Sequence, residues 1–231
     1  DLMRELAKEF PDMYFQSTGG TEVNALDDEM IELMAKSNFY HAILAIESGD
    51  PEVQKNSVDK EVNLDRLPQI IQKLNEHKID TKALFMIGFP GETKSQIQKT
   101  VDLALNCGIL DFNLSIVTAL PGTPLYDECL EKGLFVEGYT LEGSNYSKSN
   151  IKLKDVSPEE LENIRVDVWK QAMKKRLDNQ KKNILEPGSD LKKNKHTFTS
   201  IEEFQFHGFS TRPPKRIEKD TNKKQLAAVS L

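Results

Sequence analysis

Two loops in the middle of the chain constrain its fold more than any other feature. The sequence FMIGFPGET at residues 85–93 ends one apolar run, and the sequence ALPGTPLY at residues 119–126 ends the next. Each contains a glycine- and proline-rich turn followed by a threonine that can cap a helix. Repeated junctions of strand, turn and helix are how an α/β barrel builds the face that carries its ligands.

The same alternation extends over the first half of the chain. Helices capped by Asp27, Thr93 and Thr123 are expected between or after the apolar runs. The spacing of the runs favours right-handed βαβ units and a parallel sheet. We therefore predict an α/β fold, a parallel (β/α) partial TIM-type barrel with about four strands, too few to close. The predicted strands are residues 13–17, 42–46, 82–87 and 112–119.

The remainder of the chain has a different character. The sequence SPEE at residues 157–160 is a capping box that opens a long amphipathic helix. Beyond residue 181 the pattern becomes polar, basic and aperiodic, which is typical of disorder. We predict a barrel region at residues 1–138, a C-terminal helical extension at 139–180, and a basic, disordered tail at 181–231.

Composition narrows the possible functions. The net charge is −6, and no apolar stretch approaches the ~20 residues of a membrane span. Two cysteines argue against a disulfide scaffold and favour a cytoplasmic location. The four histidines lack metal-ligand spacing, so no metal ligands are expected. The basic tail lacks regular basic–aromatic alternation, so a nucleic-acid partner is not expected.

Three motifs, taken together, resemble the radical S-adenosylmethionine (SAM) superfamily, in the branch often preceded by a cobalamin-binding domain. They are AIESG at residues 45–49, MIGFPGET at 86–93 and PGTPLY at 121–126. Their order and spacing match the second half of that family's partial (β/α)6 barrel, over about residues 12–133. The resemblance implies that residues 1–138 are the C-terminal half of such a barrel.

The resemblance also implies a chemistry. In this superfamily a reduced four-iron four-sulfur cluster donates one electron to SAM and cleaves it reductively to a 5′-deoxyadenosyl radical. The radical abstracts hydrogen from a substrate, here expected to be a small molecule. The branch adds cobalamin as a candidate cofactor, with methyl transfer or rearrangement as candidate outcomes. The protein binds and orients the cofactors that carry out the reaction.

The defining CxxxCxxC motif of the family is missing. Cys107 and Cys129 are too few for the usual three thiolate ligands and are interpreted as buried structural cysteines. The cluster ligands are therefore expected outside this chain, in a missing N-terminal half or upstream domain, and the chain alone is expected to be inactive. The alternative is a non-catalytic half-barrel module that binds a protein partner or a nucleotide. A CxxxCxxC motif encoded upstream would favour the enzyme.

Glu47 and Ser48 directly follow the second apolar run, where a barrel places its ligands. The resemblance implies that Glu47 hydrogen-bonds the ribose or the amino-acid portion of SAM. Lys60 stands where relatives often carry a cation that reaches the carboxylate of SAM. A solvated lysine near a helix start is the alternative for Lys60, and the sequence does not choose between the two.

The third strand end contributes Met86, Gly88, Pro90 and Gly91, which the resemblance places against adenine. Glycine allows the backbone to approach a ligand closely, but a tight turn into the next helix explains the same residues. Glu92 is expected to stabilise the helix N-terminus rather than to act as an acid or base.

The fourth strand end contributes Thr118, Leu120 and Thr123. In the family, main-chain groups here read the edge of adenine, and the following loop shapes the pocket wall. Tyr126 is expected to pack rather than to react.

A half-barrel also leaves one flank of its sheet open. Inward-facing apolar side chains such as Leu44 and Phe85, or their strand neighbours, are therefore expected to be exposed and to promote self-association.

Overall fold

The structure, a computed structural model, describes residues 2–185 and 229–230. Its strands form one parallel sheet in the spatial order β4-β3-β2-β1-β5. The strands are β1 (Phe15–Gln16), β2 (Phe39–Glu47), β3 (Asp80–Ile87), β4 (Asp111–Ile116) and β5 (Val229–Ser230).

One helix precedes β1, others connect the first four strands, and further helices follow β4. They are α1 (Leu2–Glu9), α2 (Asp28–Lys36), α3 (Pro51–Val53), α4 (Leu67–Glu76), α5 (Lys94–Asn106), α6 (Pro124–Glu131) and α7 (Pro158–Leu185). A π-helical turn, Gln54–Val58, directly continues α3. Among the described helices, none is long and apolar enough to cross a membrane.

The predicted helix caps are confirmed. Asp27 accepts a hydrogen bond from the Met30 N–H at 2.7 Å, and Thr93 forms a complete capping box with Gln96. Thr123 accepts from the Tyr126 N–H at 3.2 Å. Each side chain satisfies a backbone donor that has no partner within its helix.

Strands β1 to β4 confirm the predicted partial barrel of parallel βα units. The short strand β5 was not predicted. It pairs with β1 through Phe15–Val229 and Gln16–Ser230, inside the segment predicted to be disordered. Helix α7 also runs to Leu185, past the predicted boundary at residue 180. The rest of the predicted tail, residues 186–228 and 231, lies outside the described residues, and the division into three regions stays a prediction.

The main hydrophobic core lies between the sheet and the helices. Leu44 and Phe85 are 0% and 1% exposed and belong to this core, so the prediction that they face the open side is wrong. Successive strand residues point to opposite faces. Leu84 and Met86, which flank Phe85, therefore point to the other face, and they are half-buried.

The outer edge of β4 is covered by the C-terminal extension. The Ile116 N–H donates to the Tyr146 carbonyl at 2.8 Å. Arg165 in α7 donates through Nε to the Leu114 carbonyl at 3.0 Å. The extension thus satisfies backbone groups that an edge strand would otherwise leave unpaired.

An ionic cluster fastens α7 to the end of the sheet where β3 and β4 begin. Asp111 Oδ1 lies 2.7 Å from Arg176 Nη2 and 3.8 Å from Lys82 Nζ. All three side chains are mostly buried, with exposed fractions between 12% and 17%. Burial weakens screening by water, so the shared carboxylate contributes more here than at the surface.

We expect Asp111→Ala to lower the free energy of unfolding by about 2–3 kcal/mol, because it removes the carboxylate that two mostly buried cations share. The exposed pair Asp167–Lys170 provides the control, and Asp167→Ala should cost less than about 0.5 kcal/mol. Denaturant unfolding of the two variants measures the difference. Equal losses would contradict a stabilising role for the cluster.

Candidate functional site

Three loops meet at the carboxyl-terminal edge of the sheet. They follow β2, β3 and β4 and begin at Ser48, Gly88 and Val117, respectively. Because these strands are parallel and adjacent, their carboxyl ends lie side by side. Ligands of α/β barrels bind at this edge. The ten predicted site residues are all in or beside these loops, except Lys60.

Glu47 occupies a strained turn at the end of β2. Its φ angle is 68°, and the Ser48 N–H donates to the Ile46 carbonyl at 2.9 Å, which closes a three-residue turn centred on Glu47. The pairing of β2 with β3 also shifts register between Ala45 and Glu47. Such turns are rare, and a non-glycine residue with positive φ persists only where its surroundings enforce it.

The structure brings Lys60 to Glu47. Lys60 Nζ donates to the Ala45 carbonyl at 3.2 Å and lies 3.4 Å from an Oε atom of Glu22. Burial raises the pKa of Glu47, the charge of Lys60 lowers it, and the charge of Glu22 raises it. The cluster of Glu22, Glu47 and Lys60 therefore combines two carboxylates and one ammonium group at the strand end.

The loop after β2 is fastened to α5. Ser48 is fully buried, and its hydroxyl lies 3.1 Å from the hydroxyl of Thr100, which also accepts the Gly49 N–H at 2.9 Å. Asp50 is 2% exposed and binds Lys99 Nζ at 2.7 Å. Ser48 thus contributes its side chain to the loop's internal support.

A second set of contacts holds Asp50 as a carboxylate. Burial opposes its ionisation, but hydrogen bonds from Lys99, Val53 and Gln96 outweigh that effect and lower the pKa of Asp50. Gln96 is also the glutamine of the capping box at the start of α5. The loop after β2 is therefore connected directly to the first turn of the helix that follows the loop after β3.

Gly49 is required because the backbone of α5 passes very close to it. A Cβ at Gly49 would lie 2.5 Å from the Lys99 carbonyl oxygen and 2.8 Å from Thr100 Cα. Both are backbone atoms in a helix, which cannot move aside cheaply. This glycine therefore lets the loop and the helix meet.

We expect Gly49→Ala to lower the free energy of unfolding by about 2–3 kcal/mol, through overpacking against α5. Gly19→Ala is the matched control, because a Cβ there meets nothing within 4 Å. Its effect should stay within about 0.5 kcal/mol. Thermal or denaturant unfolding of both variants tests the contact, and a neutral Gly49→Ala would contradict it.

The loop after β3 is organised by Glu92. One carboxylate oxygen, Oε2, accepts the N–H groups of Gly88 at 2.5 Å and Phe89 at 3.0 Å. The other oxygen, Oε1, is buried and has no hydrogen-bond partner. Burial raises the pKa of Glu92 to about 7, against the two N–H donors that lower it. Glu92 lies near the N-terminus of α5, and its carboxylate also holds the turn at Gly88 and Phe89 in place.

The two glycines of this loop have different neighbours. Both have positive φ, 93° at Gly88 and 77° at Gly91. A Cβ at Gly88 would lie 2.7 Å from Leu161 Cδ2 of α7, whereas a Cβ at Gly91 would meet nothing within 4 Å. The missing side chain of Gly88 therefore makes room for α7, and open space lies beside Gly91. Pro90, between them, is half-buried.

The raised pKa of Glu92 gives a prediction for stability. The folded-state pKa of Glu92 lies above the ordinary value of 4.5. The contribution of Glu92 to the free energy of unfolding is therefore fully present below pH 4.5 and is lost as pH rises through 7. Relative to Glu92→Gln, the wild-type free energy of unfolding should fall by about 3 kcal/mol from pH 4.5 to 8.

Denaturant titrations at several pH values measure this difference. Glu159→Gln, at an exposed glutamate in the first turn of α7, is the matched control for removal of a carboxylate. If wild type and Glu92→Gln have parallel stability profiles across this range, Glu92 does not titrate in the folded protein near neutral pH.

The loop after β4 is covered on one side by the extension. Thr118 donates through its hydroxyl to the Asn145 carbonyl at 3.4 Å, and Leu120 is exposed. The hydroxyl of Thr123 donates to the Leu120 carbonyl at 2.7 Å while it caps α6. Thr123 therefore fixes the shape of the loop.

A second, smaller hydrophobic cluster joins the three loops. Its buried members come from α3, which follows the loop after β2, from the loops after β3 and β4, from α6 and from the extension. They are Val53, Phe89, Val117, Ala119, Cys129 and Ile151. Met86 and Tyr126 pack against this cluster, and Tyr126 also contacts Phe135 with ring centroids 5.2 Å apart. The expectation that Tyr126 packs is consistent with these contacts.

The two cysteines have structural surroundings. Cys129 is fully buried in the second cluster, and Cys107 follows the last residue of α5 and packs against the main core. Burial raises the pKa of both thiols. Among residues 2–179, whose side chains the structure describes, no group of three or more His, Cys, Asp or Glu side chains is arranged to hold a metal ion.

Sequence reasoning missed several residues of this site. Glu22 and Gln54 carry no recognisable motif, and their contacts with Lys60 and with the turn at Glu47 depend on tertiary folding. A cavity of about 460 Å³ lies beside the π-helical turn. None of the ten predicted residues lines it, so the strand-end loops define the candidate site.

Comparison with known proteins supports the family. Residues 1–104 match the family model described as the radical SAM superfamily. The match confirms the resemblance to this superfamily over that part of the chain.

Curated relatives include enzymes. The chain is 29% identical over 141 residues to cytidylyl-2-hydroxyethylphosphonate methyltransferase from Streptomyces wedmorensis, covering 58% of this chain and 26% of the relative. It is 26% identical over 104 residues to bacteriochlorophyllide d C-12(1)-methyltransferase from Chlorobaculum tepidum, covering 45% and 23%. The chain thus spans about a quarter of the length of these relatives.

A solved structure supports the fold. The radical SAM methyltransferase TsrM from Kitasatospora setae, with cobalamin and a [4Fe-4S] cluster bound, has a TM-score of 0.51 at 18% identity. The similarity covers 71% of this chain and 34% of that protein. It supports the partial α/β barrel as the fold of this chain.

Proposed function

We propose that this chain is the SAM-contacting half of a radical SAM enzyme that acts on a small-molecule substrate. The observation that carries the proposal is the cluster of Glu22, Glu47 and Lys60 at the carboxyl end of β2. The family match over residues 1–104 and the enzymes among the relatives support it independently.

The charges of this cluster fit SAM. The amino-acid portion of SAM carries an ammonium group and a carboxylate. The Glu47 carboxylate can pair with the former and the Lys60 ammonium group with the latter. Charge-assisted hydrogen bonds to such groups are stronger than those between neutral partners. Glu47 would bind the ammonium group or the ribose hydroxyls, and Lys60 would bind the carboxylate.

The other two loops would receive the adenine. Met86 and the turn of Gly88, Pro90 and Gly91 would provide one wall, with the open space beside Gly91 available to the ligand. Main-chain groups at Thr118 and Leu120 would face the base edge, held by Thr123. Backbone contacts of this kind need a fixed loop shape, which the Glu92 hydrogen bonds supply after β3.

The residues of this chain do not fit the iron–sulfur cluster. Three thiolates are usual, whereas this sequence has two cysteines, both packed among apolar side chains. We propose that the cluster ligands lie outside this chain, in an upstream segment. A cluster held there would supply the electron for SAM cleavage, and residues of this chain would position SAM and exclude water.

Methyl transfer is the reaction outcome that the relatives favour. Cytidylyl-2-hydroxyethylphosphonate methyltransferase and bacteriochlorophyllide d C-12(1)-methyltransferase both have this activity in their names. Rearrangement or cyclisation is the second candidate, because the chain is also 26% identical over 120 residues to anaerobic magnesium-protoporphyrin IX monomethyl ester cyclase from Rubrivivax gelatinosus. We propose cobalamin as a further cofactor on the basis of the TsrM structure.

Substitution of Glu47 tests the SAM site. In the full-length, cluster-loaded protein, Glu47→Ala should weaken SAM binding by about 10- to 150-fold, the equivalent of about 1.5–3 kcal/mol for charged hydrogen bonds. Glu47→Gln should retain part of the affinity because it keeps a hydrogen-bonding group. Calorimetric titration with SAM, together with the melting temperature, provides the measurement.

Glu52→Gln is the matched control, because Glu52 is an exposed glutamate close by in α3. It should leave SAM affinity within about twofold of wild type. Unchanged affinity in a well-folded Glu47→Ala variant would remove Glu47 from the site, and an absence of SAM binding by wild type would refute the proposed function.

A further inference from the structure

Gln54 is a buried polar residue that contacts the segments carrying Glu47 and Lys60, the two oppositely charged residues called the charge pair below. It lies in the π-helical turn after α3 and is 2% exposed. Buried side-chain amides are normally hydrogen-bonded, so the polar atoms of Gln54 are expected to have partners. These partners lie in the turn at Glu47 and in the segment that carries Lys60.

The side chain of Gln54 holds the turn at Glu47 from both sides. Nε2 donates to the Ser48 carbonyl at 2.6 Å and makes a longer contact of 3.4 Å with the Ile46 carbonyl. These carbonyls flank Glu47, whose φ of 68° is unfavourable for a residue with a side chain. Gln54 therefore helps to hold Glu47 in its strained conformation.

The same residue holds the segment that carries Lys60. Gln54 Oε1 accepts the Val62 N–H at 2.8 Å, and the Gln54 carbonyl accepts the Lys60 N–H at 3.1 Å. The chain reverses at Asp59, whose φ of 53° is left-handed, and so returns Lys60 towards the end of β2. Both members of the charge pair are thus fixed to one amide residue. Functional sites frequently contain such π-helical insertions.

We propose that Gln54 is the positioning residue that holds Glu47 and Lys60 at a fixed separation, so that the two charges form a preorganised clamp for the amino-acid portion of SAM. The identity of the ligand rests on the proposed function, whereas the positioning role rests on the hydrogen bonds of Gln54 alone. Preorganisation increases affinity because the cost of ordering the groups is met before binding.

The test uses Gln54→Met, which keeps the length of the side chain and removes its hydrogen bonds. The matched control is Asn56→Leu, which also replaces an amide by an alkyl group but at an exposed position in the same turn. In the full-length, cluster-loaded protein, Gln54→Met should weaken SAM binding about tenfold by calorimetry, and Asn56→Leu less than about twofold.

A double-mutant cycle separates positioning from general destabilisation. In a Glu47→Ala background the clamp is already broken, so Gln54→Met should then weaken binding by less than about threefold. A full tenfold loss in that background would overturn the proposal. Gln54→Glu, which keeps the acceptor for Val62, serves in the same cycle if Gln54→Met does not fold.

Hydrogen exchange provides a readout that needs no ligand. The Ser48 and Val62 amides should exchange at least about tenfold faster in Gln54→Met than in wild type, while amides in the middle of β3 keep their protection. Unchanged exchange at both amides would overturn the positioning role. If wild type binds no SAM while the two amides respond as expected, the proposed function fails and the positioning role stands.

Discussion

The backbone contact between Gly49 and α5 determines how the candidate site is arranged. Two of the site loops, after β2 and after β3, would otherwise be related only through the strands that precede them. Because Thr100 binds both Ser48 and Gly49, and Gln96 binds Asp50 while capping α5, the loop after β2 is attached to the helix that follows the loop after β3. The distance between the two loops is therefore set by a helix, which is stiffer than either loop.

Three buried or half-buried acids at this edge show how surroundings determine charge. Asp50 receives an ammonium group as well as neutral donors, which lower its pKa despite burial. Glu92 receives only two backbone N–H groups, too few to offset its burial. Glu47 lies between these cases, with Lys60 opposing the effect of burial. The same functional group can thus serve as a fixed anion, a turn support or a ligand contact, depending on its donors.

Much of the fold could be predicted from local sequence, and much of the site could not. Helix caps at Asp27, Thr93 and Thr123 depend on residues close in sequence, and the structure has all three. The motif around Glu47 located the strand end correctly. The contacts that a side chain makes depend instead on elements far away in sequence. No local pattern indicated that Leu161 would fill the space above Gly88, or that the side chain of Gln54 would bind the Ser48 carbonyl.

The face of a strand was equally difficult to assign. Leu44 and Phe85 belong to nearly continuous apolar runs, in which both faces look alike, so their burial under the helices could not be inferred from periodicity. The positive φ of Glu47 was also hidden, because only glycine, and to a lesser extent asparagine or aspartate, signals that conformation in a sequence.

The extension that covers β4 prevents a further strand from pairing at that edge of the sheet. Tyr146 and Arg165 occupy the backbone groups of Ile116 and Leu114 that another strand would need. An incoming strand, whether from the same polypeptide or from a neighbouring molecule, would have to displace the extension to join there. The extension thus terminates the sheet at β4. A further strand would join at the opposite edge, where β5 now pairs with β1 in parallel register.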